Sequence, residues 1–156
     1  MFVLNFKVAP SKKLAVFFSA ASLLTAIVCI ICMMSVQNSF PDTATCDEVG
    51  SYSLTFQKED DGAGFLEQFG LSVDKVVDNS EVKIPSEFND TYNEYNKLQN
   101  EIGLDLEKFR GKTAQKITCR LKDSSTQFAV LLVYKEKVIG AHLTNGEYGS
   151  KNLPLV

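Results

Sequence analysis

Residues 14–34, LAVFFSAASLLTAIVCIICMM, form an uncharged run of 21 residues that opens at Leu14 and closes at Met34. No other feature constrains the chain as strongly. A helix of that length rises about 32 Å, close to a hydrocarbon core of about 30 Å. In lipid a lone segment satisfies its own backbone groups only as a helix, so the run reads as a transmembrane helix. Lys7, Lys12 and Lys13 precede it, and Asp42, Asp47 and Glu48 follow. The positive-inside rule then places residues 1–13 in the cytoplasm and everything after the span outside a cell membrane crossed once. A cleaved signal peptide has an apolar region of about 7–15 residues and a small-x-small site after it. Here the run is longer, and SVQNSFPD beyond it holds no such pair. The expectation is an uncleaved signal-anchor contacting the lipid bilayer through residues 14–34, with cleavage as the alternative.

Charge separates the two sides. Beyond residue 41 the chain has 13 bases against 19 acids, a net of −6, which argues against nucleic acid as a partner. Cys29 and Cys32 lie inside the apolar run, where a C-x-x-C reads as two small apolar side chains rather than a metal or redox pair. Cys46 and Cys119 fall on the outer side, where an oxidising compartment would allow a disulfide between them.

Residues 35–47 read as a polar tether and residues 48–156 as one extracytoplasmic domain. Tyr52, Leu54 and Phe56 alternate with polar residues, the pattern of a short strand. Asp60 or Asp61 is placed to cap a helix carrying Phe65, Leu66 and Phe69, stopped by Gly70. Residues 71–77 and 81–84 suggest two short strands around a turn at Asp78-Asn79. Pro85 marks a boundary, with Ser86 as cap of a helix over residues 87–101 stopped by Gly103. Ile117, Cys119 and Leu121 alternate as a half-buried strand. FAVLLVY, residues 128–134, reads as a central strand covered on both faces, and residues 138–143 return after a charged turn. The expected fold class is α+β: an antiparallel sheet packed by two helices, behind a transmembrane helix.

The chemistry is sparse. His142 is the single histidine, and it reads as an ordinary surface or structural side chain. There is no G-x-S-x-G elbow, no phosphate-binding loop and no close set of zinc or calcium ligands. No catalytic, cofactor-binding or metal-binding residue is therefore assigned, and no cofactor is expected. The candidates for structural or ligand contact are Tyr92, Tyr95, Asn96 and Gln99 on the long helix. At 100° per residue, Gln99 falls about 20° from Phe88, in the middle of the apolar stripe made by Phe88, Tyr92, Tyr95 and Ile102. An amide there needs partners, from the loop after Gly103 or an adjacent strand.

Phe65-Leu66-Glu67-Gln68-Phe69-Gly70, then Ile84-Pro85, Phe88, Tyr92, Tyr95-Asn96, Leu98-Gln99, Gly103, Asp105-Leu106, Phe109, Gly111-Lys112 and Val138-Ile139-Gly140 recur at fixed spacing. This set resembles an uncharacterised family of small membrane-anchored bacterial proteins, domain of unknown function 4830, over about Phe65 to Leu143. Two departures stand out: Leu71 where the family has Trp, and Ala141-His142 where it has Gly-Asp. The resemblance implies the same anchor and fold and supplies no activity. The functional expectation is a non-enzymatic interaction or sensing module of the cell envelope, whose partner is an envelope protein or ligand. The alternatives are an accessory subunit of a larger membrane complex, and a carboxylate-based envelope hydrolase with two inward-facing acids.

Overall fold

Seven residues, Phe128–Tyr134, organise the domain, because a strand this apolar has to be covered on both faces. In the computed structural model, which describes residues 25, 27–29, 40–60, 62–122, 127–147 and 149–156, they form strand β5. The chain divides into two units, Met1–Phe40 and Pro41–Val156. In the second unit the elements run β1 (Thr43–Cys46), β2 (Gly50–Ser53), α1 (Ala63–Glu67), β3 (Val73–Lys83), α2 (Asp90–Glu101), β4 (Thr113–Leu121), β5 and β6 (Lys137–Thr144). Short 3-10 turns at Lys58–Asp60 and Leu106–Phe109 precede α1 and β4. β1 and β2 make an antiparallel hairpin, and β3-β4-β5-β6 make an antiparallel four-stranded sheet in that order. The α+β class and the antiparallel sheet expected from sequence are both present.

Alternation along β5 assigns its neighbours to two faces. Ala129, Leu131 and Val133 join Ile117 and Cys119 of β4 in one core with Tyr52, Leu54, Phe56, Phe65 and Leu66. The hairpin and α1 thus cover this face. Val130 and Leu132 point the other way, where Val130 stands opposite His142 and Leu132 opposite Gly140. An ideal Cβ on Gly140 would lie 3.2 Å from both Leu106 Cδ2 and Leu132 Cδ1, and 3.3 Å from Gln99 Oε1, so α2 and the following 3-10 turn cover this second face.

A sheet edge with bare backbone groups invites aggregation, and on β6 several of those groups are bonded. Val138 N–H donates to Leu54 O at 2.8 Å, and Leu143 and Leu153 exchange two bonds at 2.8 and 2.9 Å. Between them, Ala141 N–H donates to the side-chain oxygen of Gln99 at 2.7 Å. A bulge between Leu132 and Val133 leaves Ile139 of β6 unmatched and helps set Gly140 under the helix.

Several sequence expectations need correction. The stretch expected as a tether contributes β1, whose Cys46 enters the core while Ala44 packs against it; four residues are too few to show a period above their threonines. Residues 73–83 form one strand, not two around a turn. Asp78-Asn79-Ser80 sits on an edge strand, where Asp78 pairs with Lys116 at 2.9 Å and Asn79 accepts from Gln115 at 2.8 Å, so polar neighbours on β4 absorb the apparent turn. The long helix starts at Asp90 because Asn89, not Ser86, is its cap: Asn89 Oδ1 accepts from Tyr92 N at 2.9 Å. The two helices do not share a face. Cys46 and Cys119 are both buried, and the disulfide allowed above does not join them.

The expected transmembrane run lies almost entirely outside the described residues. Within it Thr25 and residues 27–29 are helical. Among the described residues no helix is long and apolar enough to cross a membrane.

Candidate functional site

Helix α2 presents amides, not hydrocarbon, to the interior: its two buried residues are Asn96 and Gln99. Its ends are well determined. Asn89 caps the start, and at the far end Gly103, at φ +77°, lets its N–H reach Asn100 O at 3.0 Å and Leu104 N–H reach Gln99 O at 3.0 Å. That double bond pattern over a left-handed residue stops the helix as the sequence suggested. The Tyr52 hydroxyl donates to Ile102 O and ties the helix end to the hairpin.

Gln99 is wholly buried, and its Oε1 accepts from the strand backbone at Ala141. Asn96 faces the loop instead: its Oδ1 accepts from Leu106 N at 2.7 Å, and its Nδ2 donates to Asp105 Oδ1 at 3.1 Å. Asp105 Oδ1 also accepts from Glu107 N at 3.0 Å, capping the 3-10 turn. Of the two partners anticipated for Gln99 it meets the strand, through Oε1, while its buried Nε2 has no hydrogen-bond partner among the described residues; the loop is held by Asn96 instead. The two amides hold α2 by backbone hydrogen bonds where side-chain packing alone would leave its depth and rotation loosely set.

Tyr92 and Tyr95 lie one turn earlier and are half-buried. They line a cleft of about 290 Å³ between α2 and the sheet. Val82, Ile84, Val130 and Leu132 form its apolar floor, and Lys116, His142, Thr91 and Asn152 complete it. Tyr95 Oη and His142 Nδ1 are 2.8 Å apart, with their rings edge-on at 5.3 Å. Tyr92 stands edge-on to Tyr95 at 6.2 Å and tilts against Phe88 at 5.2 Å. The Arg110 guanidinium lies 4.6 Å over the Phe88 ring, closing the aromatic row at its outer end.

The electrostatics favour a neutral pair. Burial, with the Lys116 ammonium acting in the same direction, presses His142 down from 6.5 to about 4. Burial, with Tyr92 contributing, raises the Tyr95 hydroxyl well above its ordinary value of 10. Near neutral pH a phenol that donates to Nδ1 leaves the imidazole proton on Nε2. A general base works best with a pKa near the working pH, and His142 lies far below it. Among the described residues that line the cleft, Lys116 is the charged one and none is a carboxylate. Asp105 and Glu107 share a separate shallow depression with Asn93 and Asn100, but Lys108 and Arg110 pair with them at 3.7 and 2.7 Å.

The structure therefore separates the four candidates of the sequence into two pairs. Tyr92 and Tyr95 line the cleft, while Asn96 and Gln99 lock the helix behind it. His142 and Lys116 went unassigned by sequence. Period-two alternation along β4 to β6 carried the signal: it sets Lys116, Val130, Leu132 and His142 on one face, opposite the helix that bears the tyrosines.

A family model described as "Domain of unknown function (DUF4830)" matches residues 65–143. The chain belongs to this family. The DUF4830 match begins in α1 and ends in β6, one residue short of the strand's end, so it takes in nearly all of the four-stranded sheet, both amides, both tyrosines, Lys116 and His142. The β1–β2 hairpin and Asn152 fall outside it. No curated protein and no solved structure matches the chain.

Proposed function

We propose that the protein is a membrane-anchored, extracytoplasmic binding module without enzymatic activity, and that its recognition site is the cleft between α2 and the sheet. The observation that carries this reading is the cleft itself. Two half-buried tyrosines and a neutral Tyr95–His142 pair stand over an apolar floor, held in place by two amide locks. Concave, mostly apolar sites with a few placed polar groups are where small molecules bind. An imidazole pressed to about 4 holds a hydrogen bond at neutral pH but does not take up a proton there. The anchor and its orientation rest on the uncharged run and on the lysines that precede it.

Orientation is tested with Glu67→Cys, an exposed position on α1, in a background with Cys29 and Cys32 changed to serine. Cys46 and Cys119 are buried and should stay silent. A membrane-impermeant maleimide should label Glu67→Cys on intact cells, whereas labelling only after lysis reverses the topology. The cleft is tested by NMR of the full-length chain in nanodiscs against a panel of small aromatic and aliphatic fragments. Shifts should gather on Tyr92, Tyr95, Val130 and Leu132. Shifts scattered over the domain, or absent from the cleft with every fragment, would defeat the binding-site reading.

A further inference from the structure

Resting on that reading of the cleft, we infer that its ligand is a small organic monocarboxylate, with an aromatic or aliphatic body over Val82, Ile84, Val130 and Leu132 and its carboxylate at the Lys116 ammonium. Size sets the first limit. A volume of about 290 Å³ equals roughly ten water molecules at about 30 Å³ each, which suits a ligand of about ten heavy atoms. The floor sets the second. Ile84 is 1% exposed and Val130 and Leu132 are 7% exposed, so a polar body would lose its hydration there without gaining partners.

Charge sets the third limit. The domain beyond residue 41 is acidic overall, yet the charged group lining this cleft is a lysine. An ammonium has three N–H donors. Asp78 Oδ2, on β3 beside the cleft, takes one of them at 2.9 Å and is itself held by Ser80 Oγ at 3.0 Å. Asp78 thus orients Lys116 while donors remain for a ligand. The Tyr95–His142 pair adds no opposing charge, because both groups are neutral near pH 7. A cationic ligand would find no carboxylate among the described lining residues, the nearby Asp78 being already paired with Lys116. A neutral one would forgo the charge-assisted bond, which is roughly twice as strong as a neutral one.

Three isosteres test this directly: benzoate, benzamide and benzamidine, titrated against the full-length chain in nanodiscs and read by NMR at Tyr92, Tyr95, Val130 and Leu132. Benzoate should bind about tenfold more tightly than benzamide, with benzamidine weakest. Lys116→Met should erase the preference, Lys116→Arg should keep it, and Asp78→Asn, which releases the ammonium, should preserve or strengthen it. Equal binding of benzoate and benzamide, or a preference that survives Lys116→Met, would overturn the carboxylate assignment while leaving the cleft a binding site. Silence with all three would also overturn it, and the fragment panel then decides separately whether the cleft binds anything. Tighter binding of N-acetyl-glycyl-phenylalanine than of benzoate would make a peptide C-terminus the occupant and remove the small acid.

Discussion

The two faces of the four-stranded sheet solve the same problem by different means. On one, Leu131 of β5 and Leu66 of α1 are both 0% exposed, inside a continuous hydrocarbon core closed by the hairpin. On the other, the next residue of the same strand, Leu132, is 7% exposed and borders a cleft. There the covering helix is held by Gln99 and Asn96 through backbone hydrogen bonds, not by a row of leucines. Close packing leaves no room for a ligand. Directional bonds fix a helix at a set height and let a cavity persist beside them. The lesson is that buried polar groups on α2 serve the geometry of the cleft, and the sealed face supplies the rigidity that both need.

Acid should expose the difference most strongly. His142 titrates near 6.5 when unfolded and near 4 in the native fold. Between those values the unfolded chain binds more protons, so stability is full above about pH 6.5 and is lost as the pH falls towards 4, by about 3 kcal/mol. The Arg120 hydrogen bond holds the Asp74 carboxyl low, and the Lys116 hydrogen bond does the same for Asp78, so their contributions are lost at lower pH still. Denaturant midpoints measured from pH 7 to 4 should fall in the native sequence and flatten over this window in His142→Phe. An unchanged slope in that variant would mean that the cleft face does not carry the acid response.

Gln99→Ala comes next. It orphans the Ala141 N–H on the sheet edge and should cost about 1–3 kcal/mol. The measurement is equilibrium unfolding in urea. An unchanged midpoint and slope would show that the amide does not lock the helix. Tyr95→Phe is the mildest of the three: removal of one hydroxyl from its bond with His142 should cost about 1 kcal/mol, and it should raise the native pKa of His142, followed by NMR, if that bond holds the neutral ring.

Sequence made the architecture of the sealed face legible. FAVLLVY could only be an inner strand, and Tyr52, Leu54 and Phe56 advertised their buried side by alternation; all three are nearly inaccessible. Gln99 was legible too, because a helical wheel puts it among aromatics. What stayed hidden depends on pairing between distant segments. Asp78-Asn79-Ser80 looks like a turn until Lys116 and Gln115 are known to lie across from it. Thr43–Cys46 looks like a tether until Gly50–Ser53 pairs with it. His142 looked ordinary because its partner, Tyr95, lies 47 residues away. The cleft needed α2 and the sheet together, and local periodicity reports on each separately.

Equilibrium denaturation of Leu131→Ala and Leu132→Ala, compared in the same full-length background, tests the contrast between the faces most directly. The two residues are adjacent, identical in type, and point to opposite sides of one strand. Truncation in the sealed core leaves a closed cavity and should cost about 4 kcal/mol, whereas truncation beside the cleft only enlarges a space already open and should cost about 2 kcal/mol. Equal losses in the two variants would contradict the account, because they would mean that the second face is packed as tightly as the first.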